Sequence, residues 1–96
     1  MERSFKLKKY DVLYRNLAKK KLDKINKPQQ LLIKKWIQYN LVGCSNPYFS
    51  GKALKGAKKG LWRYRVGNYR IIADINDNEI IIEIIDVGHR QGIYKY

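Results

Sequence analysis

The sequence has one cysteine, Cys44, and one histidine, His89. A single thiol cannot form an internal disulfide, which fits a reducing cytoplasm. One thiol and one imidazole also leave little to hold a metal, and the carboxylates Asp74, Glu83 and Asp86 lack the spacing of a ligand set. No metal or other cofactor is expected. Long apolar runs are missing as well. The longest, Ile80–Ile85, is broken by Glu83 and is far too short to span a membrane. The opening MERSFKLKKY has no apolar signal-peptide core. A cytoplasmic protein with no membrane partner is the expectation.

Acidic residues are the scarcest class relative to their opposites: 8 against 21 lysines and arginines, a formal net charge of +13 on 96 residues. A chain of this length fits one domain, residues 1–96. Such an excess on a small folded chain favours polyanions, nucleic acid first. An anionic membrane fits less well, because the basic residues are not gathered on one amphipathic helix. The cations are also divided by type. Residues 1–60 hold 16 of them, and only Arg3 and Arg15 are arginines; residues 61–96 hold five, of which Arg63, Arg65, Arg70 and Arg90 are arginines. Lysine is a hydrated point charge suited to general attraction, whereas arginine is a planar fork suited to gripping phosphate. The division predicts a lysine-coated docking surface and an arginine-built site.

Along the chain, Ser4–Lys9 alternates apolar and polar residues and predicts a short strand. Asp11 fits an N-cap, followed by Tyr14, Leu17, Ala18, Leu22 and Ile25 at helical spacing. Asn26-Lys27-Pro28 stops one helix and starts another, whose face carries Ile33, Trp36, Ile37, Asn40 and Leu41 and which ends near Gly43. A loop follows, then the basic stretch Lys52–Gly60. Three strands close the chain: Leu61–Val66, Tyr69–Asn76 and Glu79–Val87, with turns at Gly67-Asn68 and Asp77-Asn78. The expected fold is α+β in the order β-α-α-β-β-β, two helices packed on an antiparallel sheet.

Strand alternation sorts the hairpin. Trp62, Tyr64, Val66, Tyr69, Ile71, Ala73 and Ile75 point to the helix-covered face, and Arg63, Arg65 and Arg70 converge on the other. A two-residue turn sets Arg65 opposite Arg70. Like charges so placed destabilise a sheet, by roughly 1 kcal/mol in water at about 5 Å and by more beside protein. A second two-residue turn at Asp77-Asn78 would put Glu83 opposite Ile72 and diagonal to Arg70, relieving one arginine. A bound phosphate would answer all three. Beyond the last strand, HRQGIYKY brings His89, Arg90 and Tyr94 to the same end of the chain.

GLWRYRVGNYRIIADI followed by IIDVGHRQGIYKY resembles the RelE/ParE superfamily of bacterial toxins, in its RelE branch. The resemblance implies the toxin of a type II toxin–antitoxin pair, one that enters the ribosomal A site and cuts mRNA. It also implies a RelB-like acidic antitoxin and a toxin–antitoxin hetero-oligomer. Position by position, Arg63 and Arg65 take the paired basic positions of the second strand, Arg70 the arginine after the turn, and Arg90 and Tyr94 the C-terminal arginine and tyrosine. RelE itself has lysines where Arg63 and Arg65 stand, and arginine is a poor general base. Its spacing from the C-terminal arginine to the tyrosine is longer than from Arg90 to Tyr94.

The chemistry open to such a site needs no metal. The RNA 2′-hydroxyl attacks the adjacent phosphate, and the arginines oppose the charge that builds up. Arg65 and Arg70 are assigned to the scissile phosphate, with Arg63 in support and Arg90 at the departing oxygen. Tyr94 ranks above His89 for handling the proton or for stacking on a base. Lys8, Lys9, Lys19, Lys20, Lys21, Lys52, Lys55, Lys58 and Lys59 would hold ribosomal RNA and mRNA. The alternatives are a ParE-like inhibitor of DNA gyrase that cuts nothing, and a general RNA-binding module.

Overall fold

The computed structural model describes residues 8–55 and 60–89. The elements are β1 (Asp11–Tyr14), α1 (Asn16–Asp23), α2 (Lys27–Asn40), β2 (Lys52–Ala53), β3 (Leu61–Val66), β4 (Tyr69–Asn76) and β5 (Ile81–His89). The strands form one five-stranded sheet in the order β1-β5-β4-β3-β2. β1 runs parallel to β5, and the other pairs are antiparallel. This is the expected α+β arrangement with one more short strand, β2.

The β3–β4 hairpin has the expected register: Val66 faces Tyr69 and Arg65 faces Arg70 across Gly67-Asn68, with Gly67 at φ +60°. That conformation suits glycine, which has no Cβ to clash. α2 starts as expected. Asn26 accepts a hydrogen bond from the Gln29 amide at 3.1 Å, and Pro28 sits in the first turn where its missing N–H costs nothing. Ala18 and Leu22 of α1, Ile33 and Ile37 of α2, and Leu41 pack on Tyr64, Val66, Ile71, Ala73, Ile82, Ile84 and Val87 of the sheet. Buried Gln30 donates from its side chain to the Leu22 carbonyl at 2.9 Å. It thereby adds a second donor to a carbonyl at the end of α1 that already accepts from the Ile25 amide at 3.1 Å, and ties α2 to α1.

Two expectations are corrected, and a third falls mainly outside the described residues. Asp11 does not cap a helix: Asp11–Tyr14 is a strand paired with Ile81–Ile84, and Tyr10, Val12 and Tyr14 alternate into the core. The expected strand at Ser4–Lys9 lies outside the described residues except for Lys8 and Lys9, which are not in a strand. The connection after β4 is not a two-residue turn. Asn76 pairs with Ile81, Ile80 takes φ +58°, and a bulge between Ile72 and Ala73 shifts the register again. The last strand therefore runs Ile81–His89 rather than Glu79–Val87, and Glu83 stands opposite Asp74 instead of Ile72. Its carboxylate takes a two-point grip from Arg15, at 2.8 and 3.2 Å, and so is committed away from Arg70.

The long connection from α2 to β2 is fastened by aromatic side chains. The hydroxyls of Tyr10 and Tyr48 both donate to Asp77, at 2.8 and 2.9 Å. Tyr64 donates to the Pro47 carbonyl, and the Trp62 indole N–H donates to the Ser50 carbonyl at 2.7 Å. Burial, then the bond to Asp77 and its charge, push both Tyr10 and Tyr48 up to about 12 from an ordinary 10.0. The neutral phenol is the form the fold holds. This contribution is therefore fully present below pH 10 and is lost as pH rises towards 12. Unfolding free energy, measured by denaturant titration at stepped alkaline pH, should fall across that window, and Tyr48→Phe should make the fall shallower.

Candidate nucleic-acid interface

β2 pairs with β3 only at Trp62 and Arg63. Beside Tyr64–Val66 no described strand continues the sheet. α2 reaches over this edge, with the Trp36 ring 5.3 Å from the Tyr64 ring. A cavity of about 330 Å³ opens here, lined by Trp36, Ser50, Gly51, Lys52, Arg63, Arg65 and Arg70. Four of the seven lining residues are cationic and none is acidic. Three of the arginines singled out in the sequence thus share one cavity.

They differ in setting. Arg65 is exposed, Arg63 is half-buried, and Arg70 is only 6% exposed. The face that carries them is not bare, since Ile72 and Ile85 form a second apolar cluster there with Leu54 and Leu61. Arg70 stands at the end of that cluster, where low local dielectric strengthens its field. Among the described residues Arg63 and Arg65 make no ion pair. Glu83 is gripped by Arg15 at 2.8 Å, Asp86 pairs with Lys21 at 2.9 Å, and Asp77 accepts from two tyrosines.

The cavity wall depends on a close approach. Gly51 has φ +83°, and a Cβ there would run into the Arg63 carbonyl and lie 2.7 Å from Trp62 Nε1. Only glycine lets Ser50 and Lys52 lie against the edge of β3. Sequence reasoning placed Trp36 on one face of the second helix and missed it, Ser50 and Gly51 as cavity walls. A loop was legible before Lys52, but nothing local revealed that it would close on an arginine strand.

Other expectations fall differently. His89 is still within β5, opposite Tyr69, with ring centroids 5.5 Å apart. It lines a separate hollow with Lys21, Lys24 and Ile25 on the helix side. Strand alternation thus separates it from the arginine cavity, and it is withdrawn as a proton carrier there. Lys21 is held by Asp86, so it is not a free docking lysine. Lys8, Lys9, Lys19, Lys20, Lys52 and Lys55 are exposed. Arg90, Tyr94, Lys58 and Lys59 lie outside the described residues. Among the described residues, no cluster of three or more His, Cys, Asp or Glu side chains is placed to hold a metal ion, and no helix is long and apolar enough to cross a membrane.

The five-stranded sheet with two helices on one face is a fold shared with small toxins. The chain belongs to the family described as ParE toxin of type II toxin–antitoxin system, parDE, which matches residues 2–94. Within it, the likeness runs to the RelE branch. A stretch of 51 residues is 35% identical to Toxin RelE of Mycobacterium tuberculosis and covers 53% of each chain, so the matched stretch spans about half the length of that curated relative. A chain of the toxin–antitoxin complex RelBE2 from Mycobacterium tuberculosis superposes with a TM-score of 0.79 at 26% identity, over 88% of this chain and 95% of that one. The isolated E. coli RelE toxin shares the fold, with a TM-score of 0.68 at 20% identity over 83% of each chain.

Gly51→Ala should lower stability by at least about 1 kcal/mol, because it combines a strained φ with a backbone clash. Denaturant unfolding measures this. Gly43→Ala is the matched control: it also has positive φ, but its Cβ would meet nothing within 4 Å, so its loss should be smaller.

Proposed function

We propose that this protein is a ribosome-dependent, metal-independent endoribonuclease that cuts mRNA in the A site and so inhibits translation. The observation that carries the reading is the meeting of Arg63, Arg65 and Arg70 in one cavity without a carboxylate in its lining. In the reaction the RNA 2′-oxygen bonds to the adjacent phosphorus while the bond to the 5′-oxygen breaks. The products are a 2′,3′-cyclic phosphate and a 5′-hydroxyl. One proton leaves the 2′-hydroxyl and one reaches the 5′-oxygen. The phosphate gathers negative charge on the way, and preorganised guanidinium groups oppose it in a partly desolvated site.

The described residues supply charge but no fitted base at the cavity. Burial raises Tyr64, whose hydroxyl is bonded to Pro47 on the helix side, and His89 faces away. Tyr94 is the proposed proton carrier or base-stacking residue, and Arg90 the proposed partner of the departing oxygen. The ribosome would complete the site by holding the mRNA in line, which alone is worth orders of magnitude. The exposed lysines supply general attraction to ribosomal RNA. The solved relatives include a RelB-RelE antitoxin-toxin complex from Methanococcus jannaschii, 29% identical to this chain with a TM-score of 0.58. With a net charge of +13, this chain would bind a cognate acidic antitoxin, whose anionic segment would fold on contact.

The description of the matching family as ParE favours a second reading, inhibition of DNA gyrase without cleavage. A translation reaction with mapped mRNA ends separates the two. Cuts inside ribosome-bound codons are expected; intact mRNA with stalled gyrase would overturn the nuclease reading. Arg65→Ala should reduce cutting by about 10²-fold or more with little loss of stability, because Arg65 is exposed. Arg70 is buried, so Arg70→Lys, which keeps the charge and loses the fork, is the cleaner variant there. Tyr94→Phe should reduce the rate if the phenol moves a proton and spare it if the ring stacks.

A further inference from the structure

We infer that Trp36 is the platform on which an unpaired RNA base stacks beside the phosphate held by the arginines, an assignment that rests on the nuclease reading above. The two tryptophans of the chain are used in opposite ways. Trp62 is consumed by the fold: its indole N–H donates to the Ser50 carbonyl at 2.7 Å, and Tyr48 packs edge-on against its ring at 5.0 Å. Trp36 is half-buried, touches Tyr64 in a tilted contact, and lines the cavity with the rest of its surface. Its indole N–H makes no hydrogen bond among the described residues.

A large aromatic surface with an uncommitted donor therefore stands against a cavity whose other walls are Lys52, Arg63, Arg65 and Arg70. A nucleotide has the matching halves: a flat apolar base and an anionic phosphate. The cavity volume, about 330 Å³, is at the small end of ligand sites and suits a single nucleotide unit. Bases in a duplex are stacked and cannot enter such a hollow, whereas a splayed single strand can. With its phosphate toward Arg65 and Arg70, such a nucleotide lays its base on α2 at Trp36. Every base has a stacking face, so the contact tolerates sequence while favouring the larger purine ring.

The test uses the full chain carrying Trp62→Phe, which leaves Trp36 as the only indole. The probes are a short oligoadenylate and an abasic strand of equal length and charge. Oligoadenylate should quench the tryptophan emission and bind at least about five-fold more tightly than the abasic strand. Equal binding with unmoved emission overturns the inference. In the otherwise unchanged chain, Trp36→Leu should lose that preference for bases and Trp36→Phe should keep it, with both binding the abasic strand as before. Equal loss of both strands in both variants also overturns it. Cleavage of ribosome-bound mRNA separates this inference from the reading beneath it. A protein that stacks oligoadenylate but cuts nothing removes the nuclease and keeps the platform. A protein that cuts, with Trp36→Leu preserving both rate and base preference, removes the platform and keeps the nuclease.

Discussion

The register of the β3–β4 hairpin is the constraint on which the rest of the molecule depends. Side chains alternate with a period of two, so a slip of one residue would send every arginine into the core and every core residue into water. Gly67-Asn68 prevents the slip by closing the hairpin in two residues, with Gly67 at positive φ. Tyr64, Val66, Ile71 and Ala73 are then all buried against the helices, and Arg63, Arg65 and Arg70 all reach the same cavity. One turn thus decides both what stabilises the domain and what it presents to a partner.

That arrangement carries a cost. Arg65 and Arg70 face each other directly across the hairpin. The repulsion between two such charges is of order 1 kcal/mol in water and several-fold higher near a low-dielectric wall. A small domain has several kcal/mol of stability against which to set this, and the filled opposite face contributes to it. The aromatic fastenings add to the margin. Tyr10, Tyr48, Trp62 and Tyr64 each spend their polar atom on the connection before β2 or on the β4–β5 turn, so a segment without secondary structure is held as a rigid wall.

Local signals made part of this legible in the sequence. The hairpin followed from Gly67-Asn68 and strict alternation, and α2 from Asn26 and Pro28. β1 was misread because Asp11 is a common N-cap residue and Tyr14, Leu17 and Ala18 also suit a helix. The alternation of Tyr10, Val12 and Tyr14 was the better guide, but it is too short to decide without its partner, β5. The β4–β5 register was hidden for another reason. Asp77-Asn78 looks like a tight turn, and neither the positive φ at Ile80 nor the bulge after Ile72 has a residue signature, since isoleucine is an unusual occupant of that conformation. Trp36, Ser50 and Gly51 join the cavity through tertiary packing alone, and no window of sequence contains that information.

The disposition of the acids completes the physical picture. Among the acids, Glu83 is gripped by Arg15, Asp86 pairs with Lys21, and Asp77 accepts from two tyrosines. The exposed Arg15–Glu83 pair contributes little to stability, about 1 kcal/mol at most. Its larger effect is on the field. A carboxylate held by Arg15 beside β1 is not available to Arg63 or Arg65, which make no ion pair among the described residues. Arg63 and Arg65 thus stand in a cavity whose lining holds no carboxylate, and on the nuclease reading proposed above their charge is set against a phosphodiester.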